Sequence, residues 1–213
     1  ERFDLLYPSY GDTYPTFMGA IGMTYEQAGH GRAGLGINTD EGNVLTLKDR
    51  VAHHTTTGLS TIEVASNNAA ELNAEFNAFF NNTTNNASYV LNGSQDKIDA
   101  VTNLLDKHEI AYNFGNSGNV SGYNYNTQKN GSMKMTTGSL IISANQPKGK
   151  MVTTLFEPQT KIADSLTYDI TAWSIPYAYG LDAVATTKSV SGNTSRQRSD
   201  ISNNPMTSSA GYI

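Results

Sequence analysis

Gly19-Ala20-Ile21-Gly22-Met23-Thr24-Tyr25-Glu26-Gln27 opens onto a glycine-rich run from Ala28 to Gly36. Ile21, Met23 and Tyr25 alternate with Gly22, Thr24 and Glu26, which is the two-residue period of a β-strand. Gly29, Gly31, Gly34 and Gly36 end that strand in a loop whose backbone is free to approach a ligand closely. Glu26 is therefore expected at the C-terminal end of a strand, where open α/β sheets place their chemistry. The expected fold class is α/β.

Working outward, residues 1 to 18 are aromatic and turn-rich, with Pro8 and Pro15 blocking helix around Gly11-Asp12. Downstream, Gly29-His30-Gly31-Arg32-Ala33-Gly34 satisfies the Gly-x-Gly-x-x-Gly pattern of dinucleotide sites. That fingerprint needs a helix to open inside it and hold a pyrophosphate at its N-terminus. Gly36, Asn38 to Glu41 and Gly42 predict another loop instead, so the dinucleotide reading is rejected.

Thr46-Leu47-Lys48-Asp49 predicts a capped helix start, a hydroxyl followed three residues later by an acid. Leu47, Val51, Ile62, Ala65, Ala69, Leu72, Phe76 and Phe79 then recur at three- and four-residue steps. Thr55-Thr56-Thr57-Gly58 is poor helix material and predicts a kink or break there. A continuous helix over 46 to 80 would measure roughly 50 Å at about 1.5 Å per residue. It is too long to bury its apolar face on a strand and a loop alone. An upstream segment or a partner chain is expected to cover the face between residues 47 and 79.

Asn81 to Ser88 is polar and reads as a linker. Tyr89-Val90-Leu91 predicts a strand, and Ser94 a cap for a helix over Gln95 to His108 with Ile98, Val101, Leu104 and Leu105 on its apolar face. A strand over Ile110 to Phe114 completes a βαβ-like start. Asn116 to Asn126 reads as loop, with Tyr123 and Tyr125 in a short strand. Asn130-Gly131 predicts a hairpin turn into Met133 and Met135, Leu140-Ile141-Ile142 a buried strand, and Pro147 the start of a helix ending near Phe156. Residues 182 to 209, rich in Ser, Thr and Asn, predict a long loop. The expected organisation is a first unit over 1–80, a linker over 81–88, a small α/β unit over 89–181, and a loop with the start of a further strand over 182–213.

Composition narrows the function classes. With 213 residues, 38% of them hydrophobic, the chain can bury a sizeable core. A net charge of −5 argues against a nucleic-acid surface, which needs a clustered basic face. No apolar run approaches the roughly 18 residues of a membrane span. Glu1 is followed by no basic-apolar tract of a signal peptide, and such a start reads as the middle of a longer protein. The absence of cysteine excludes disulfides and thiolate zinc sites. The Asn-x-Ser/Thr matches, Asn82-Thr83-Thr84 among them, are expected by chance in so Asn-rich a chain.

A resemblance adds a functional expectation. Tyr7-Pro8-Ser9-Tyr10-Gly11-Asp12-Thr13-Tyr14-Pro15, then Gly22-Met23-Thr24-Tyr25-Glu26-Gln27, then Arg32-Ala33-Gly34-Leu35, resemble large bacterial zinc carboxypeptidases of the carboxypeptidase A type. The likeness continues through Asp49-Arg50-Val51 and Tyr168 to Pro176, covering most of residues 4 to 181. It implies that residues 1–80 end a metallocarboxypeptidase-like catalytic domain, followed by an accessory unit. It implies Glu26 as general base, Tyr7 or Tyr10 as a substrate-contacting residue, a peptide substrate, and a secreted or bacterial envelope setting. It also implies a zinc ion, whose ligands the family draws from an upstream His-x-x-Glu pair and a later His. That pattern is missing here, so the chain by itself is expected to be inactive.

In the implied reaction zinc lowers the pKa of bound water to about 7 and polarises the scissile carbonyl. A nearby carboxylate takes the water's proton and delivers it to the departing amine. Without the matching sequence around it, a strand-end Glu is more often structural. None of His30, His53, His54 and His108 is followed three residues later by an acid. His53 and His54 diverge by about 100° around a helix, and His108 suits a helix C-terminus. His30 is at best a pocket-lining residue. Arg32 could pair with a substrate carboxylate through a guanidinium fork, or bind loop carbonyls. Trp173 reads as an anchor between units, or alternatively as an aromatic sugar platform. The alternative function is a non-catalytic module binding peptide or glycan within a larger cell-surface assembly.

Overall fold

The computed structural model describes residues 7–26, 34–81, 85–115, 117–161 and 173–195. They form a mixed α/β structure whose sheets are antiparallel throughout. A short helix α1 (Thr13–Phe17) is followed by the strands β1 (Gly36–Asn38) and β2 (Val44–Thr46), which pair as a hairpin. The hairpin replaces the loop expected over 36–42. It reverses at Gly42, whose φ of 82° suits a residue without a side chain.

Helices α2 (Leu47–Asn67) and α3 (Ala69–Asn81) come next, divided only by Asn68. The expected cap is present: the Thr46 hydroxyl accepts from the Asp49 amide at 3.2 Å, and Asp49 accepts from the Thr46 amide at 3.0 Å. The break expected at Thr55 to Gly58 is not. The helix passes through Thr55 to Gly58, with the Thr57 hydroxyl donating to the His53 carbonyl and the Thr61 hydroxyl to the Thr57 carbonyl, each at 2.8 Å. Back-bonding of this kind satisfies a threonine inside a helix. The break falls at Asn68, whose side-chain amide donates to the Val64 carbonyl.

The remaining elements build the main sheet. In chain order they are β3 (Ser88–Asn92), α4 (Gln95–Lys107), β4 (Asn113–Phe114), β5 (Gly118–Asn124), β6 (Lys129–Met135), β7 (Leu140–Ser143), α5 (Gly149–Phe156), α6 (Ile175–Ala178), β8 (Asp182–Thr186) and β9 (Thr194–Ser195). The strand order is β6-β5-β8-β3-β7-β4-β9. Since β7 runs antiparallel to both β3 and β4, those two are parallel, and β3-α4-β4 is a crossover with one strand inserted.

Strand periodicity divides the core between the two faces. Tyr89, Leu91, Leu140, Ile142 and Ala183 point to one side, where Ile98, Val101 and Leu105 of α4 and Met151, Val152 and Phe156 of α5 cover them. Val90, Ile141 and Val184 point to the other and join Val120, with Met133, Met135 and Val190 packed alongside. Fully burying one such side chain contributes about 1.5–3 kcal/mol.

Several expectations are corrected. Residues 182–186 are not loop but an interior strand, held between β5 and β3. The turn between β5 and β6 is not at Asn130-Gly131, which lies within β6 opposite Tyr123 and Gly122. It falls at residues 125–128, because the Asn124 side chain accepts from the amides of Asn126 and Thr127 at 3.0 and 3.1 Å and folds the chain there. The strand expected over 110–114 shrinks to β4, and Ser94 occupies the cap position of α4 without a side-chain capping bond. The expected strand ending at Glu26 is absent too: 21–26 is assigned to no strand, and no described strand pairs with it. Alternation alone does not make a strand without a neighbour to receive its hydrogen bonds.

The N-terminal segment lies on the helical face of the sheet. Tyr14, Phe17 and Met18 pack against the larger core, and Phe79 and Phe80 at the end of α3 close over Gly19. Lys148 and Lys150 then sit over the rings of Phe80 and Phe79, at 4.9 and 3.8 Å from the centroids.

Candidate functional site

Glu26 is the residue on which the chemistry was expected to turn, and its placement follows from a fold-back of residues 12–25. Helix α1 ends at Phe17, and Gly19 turns the chain with a φ of 81°. The returning chain then passes so close to Asp12 that a Cβ on Gly22 would lie 1.6 Å from the Asp12 carbonyl oxygen. Two residues later the Thr24 hydroxyl donates to Asp12 Oδ2 at 2.5 Å. The Thr13 hydroxyl donates to the other oxygen at 3.3 Å. These bonds, Thr24 first, hold the Asp12 carboxyl below the ordinary carboxylate range, against the opposing effect of burial.

The next residue is tied to a different element. The Tyr25 hydroxyl lies 2.5 Å from the Thr61 hydroxyl on α2 and 2.7 Å from the Met23 sulfur. Glu26 itself is exposed. An acid at an exposed position, on a backbone held at both preceding residues, is available to an incoming group.

Of the other expected site residues, the two that are described, Tyr7 and Tyr10, lie against each other. Tyr7 is half-buried, packed edge-on against Tyr10 at 4.9 Å between centroids and tilted against Trp173 at 5.6 Å. It belongs to a cleft of about 310 Å³ between the N-terminal segment and the helices, walled by Tyr7, Tyr14, Leu104, His108, Met151 and Trp173 among others. Glu26 does not line that cleft. Arg32 and His30 lie outside the described residues, as do 82–84 of the linker and the chain from 162 to 172.

Among the described residues the histidines do not gather. His53 and His54 are exposed on α2. His108 caps α4, and its Nδ1 lies 3.0 Å from the Tyr14 hydroxyl. Burial, followed by the nearby Lys148 and Lys107, pushes its pKa below the usual histidine value. Among the described residues no three His, Cys, Asp or Glu side chains come together as a metal site, so the donors here do not fit a zinc ion. Among the described residues, no helix is long and apolar enough to cross a membrane.

Sequence reasoning missed the bonds that tie Asp12 to Thr24 and Thr61 to Tyr25, on the segment that ends at Glu26. Asp12 carries a local signal, an acid before a short helix, but that signal points to helix capping. Its shorter hydrogen bond is to a residue twelve positions away, chosen by the fold-back.

No family model, curated protein or solved structure matches the chain.

Proposed function

We propose that this chain is part of a zinc-dependent carboxypeptidase of the carboxypeptidase A type, with Glu26 as the general base. The observation that carries the proposal is Glu26 itself, an exposed carboxylate on a backbone anchored at Thr24 and Tyr25, within the run of sequence that resembles the family's base segment. Its carboxylate takes a proton from the water that attacks the C-terminal peptide bond and hands it to the departing amine. The described residues supply no zinc site, and on this proposal the ligands come from chain outside them. Tyr7 or Tyr10 would contact the peptide, and Arg32 would pair with its free carboxylate.

The proposal makes residues 1–80 the end of a catalytic domain, 81–88 a link, and 89–181 an accessory α/β unit followed by 182–213. The bare surface of α2 supports that division. Val51 and Ile62 are 57% and 67% exposed, Leu47, Leu59 and Val64 are exposed too, and an apolar groove lies along Leu35, Leu47 and Val51. Upstream catalytic chain would cover this face and would also give Ile21 to Tyr25 a neighbouring strand. A secreted or bacterial envelope setting goes with the same family reading.

The direct test is release of C-terminal residues from peptides by the complete protein, alongside its zinc content. Hydrolysis with about one zinc per chain supports the proposal, and its absence overturns it. The cleft with aromatic walls favours a second reading, a non-catalytic module that binds peptide or glycan there. Binding of such ligands that is lost in Trp173→Ala, in a protein without hydrolytic activity, is the outcome that selects it.

A further inference from the structure

We propose that Asp12 is a positioning residue for Glu26: through Thr24 and Gly22 it fixes the backbone on which the general base is carried. This rests on the proposed role of Glu26 and goes beyond it by assigning the support that sets its geometry.

Asp12 is only 8% exposed and stands at the N-cap position of α1, where an Asp side chain ordinarily accepts from the first helical amides. Here it makes no capping hydrogen bond. Its carboxylate is turned across the fold-back to the Thr24 hydroxyl, at the 2.5 Å separation of a charge-assisted O–H···O⁻ bond. A second tie acts at the backbone. The Asp12 carbonyl oxygen occupies the space where any Cβ at position 22 would stand, so glycine alone lets the two chain segments touch. The side chain of Asp12 thus meets residue 24 and its main chain meets residue 22, on a segment that ends at Glu26. Tyr25 bonds to Thr61 on α2 and fixes the segment at the next residue.

The bond has a definite chemistry. Ionised Asp12 is an acceptor only, and the Thr24 hydroxyl is the matching donor. Asn at position 12 keeps an acceptor oxygen, and Ser at position 24 keeps the donor. Ala and Val respectively remove each partner. A misplacement of about 1 Å at a reacting group costs on the order of 100-fold in rate, so removing either partner is expected to act on turnover.

The test is carried out on the complete protein with Asp12→Ala, Asp12→Asn, Thr24→Val, Thr24→Ser, the Asp12→Ala/Thr24→Val double variant, and Glu26→Gln as a reference. Asp12→Ala and Thr24→Val are each expected to lower kcat by about tenfold or more with KM changed by less than about twofold. Asp12→Asn and Thr24→Ser are expected to recover most of the rate, and the double variant to be no worse than either single one. Amide hydrogen exchange at residues 22–26 is expected to speed up by about tenfold in the two disruptive variants and not in the conservative ones. Full kcat in Asp12→Ala and Thr24→Val, with Glu26→Gln inactive, overturns the inference and leaves the carboxypeptidase proposal standing. A loss of rate without faster exchange at 22–26 also overturns it, as does strict additivity in the double variant. If the unaltered protein hydrolyses no peptide, the carboxypeptidase proposal falls and the catalytic role of Asp12 falls with it.

Discussion

The Tyr14 hydroxyl and His108 Nδ1 lie 3.0 Å apart, joining helix α1 to the C-terminal end of α4. Their rings also face one another at 5.6 Å. With Phe17 and Met18 packed on the larger core, this pair helps tie the segment that leads to Glu26 onto the seven-stranded sheet. With the ring neutral and its proton on Nε2, Tyr14 donates and His108 accepts.

That pair carries a pH dependence. Burial first, and then Lys148 and Lys107, lowers the His108 pKa below its ordinary 6.5. The unfolded chain therefore takes up this proton at a higher pH than the folded one. Stability from the neutral ring is complete above about pH 6.5 and is lost as the pH falls through the folded value. His108→Gln is expected to flatten the decline of Tm between about pH 7 and about pH 5. Parallel curves for the two proteins would remove His108 as the cause.

Glu26→Gln in the complete protein separates three roles. A general base lost with its zinc retained lowers the rate by roughly 100-fold or more. A structural residue would tolerate so nearly isosteric a change, leaving activity intact. A ligand would take zinc content down together with activity. Zinc stoichiometry and peptide hydrolysis on the same variant are the two measurements, and the first pattern is expected.

Tyr125 is buried, and its hydroxyl donates to the carbonyl of Phe156 at the end of α5. Burial raises the pKa of the phenol, which keeps the donor protonated. Tyr125→Phe preserves the ring and deprives a buried carbonyl of its partner, a loss of about 1–3 kcal/mol. Urea unfolding is expected to show a lower midpoint with an unchanged slope. An unchanged midpoint would mean that water replaces the phenol.

Gly122 brings β5 against β8 with no room between them, since a Cβ there would lie 2.1 Å from the Ala185 carbonyl oxygen. Backbone oxygen does not yield as a flexible side chain does. Gly122→Ala is expected to cost about 1–3 kcal/mol, the range for forced overpacking. Thermal unfolding of that variant, compared with Gly131→Ala on the neighbouring strand, gives the check. Gly131 meets only Asn124 Cβ, at 3.7 Å, so equal effects would argue against the steric cause.

The proposed division at 81–88 predicts where a protease enters. Limited digestion is expected to cut there before it cuts within α4, whose Val101 and Leu105 are wholly buried. First cleavage within 95–107 would count against two units.

Local chemistry was legible where each signal closes on itself within a few residues. Thr46 and Asp49 announce their reciprocal cap because both partners lie in one helical turn. The apolar spacing of Ile98, Val101 and Leu105 identifies the buried face of α4, and Leu140 to Ile142 identify a buried strand. β8 was not legible. Asp182-Ala183-Val184-Ala185-Thr186 is small and polar in its surroundings, and it is a strand because β5 and β3 lie on either side of it. The reverse holds for Ile21, Met23 and Tyr25, which alternate as a strand does but find no described strand to pair with.

The amino-acid sequence by itself determined the α/β class, most of the helices and the Thr46 cap. These depend on period, capping and turn preference, which act between near neighbours along the chain. Only the tertiary structure decided that Asp12 binds Thr24 instead of capping α1, that Tyr14 meets His108, and that Asp182 to Thr186 lies inside the sheet. Each of those requires two distant segments to be brought together, and the free energy that selects the partner comes from packing the whole sheet, which no local preference encodes.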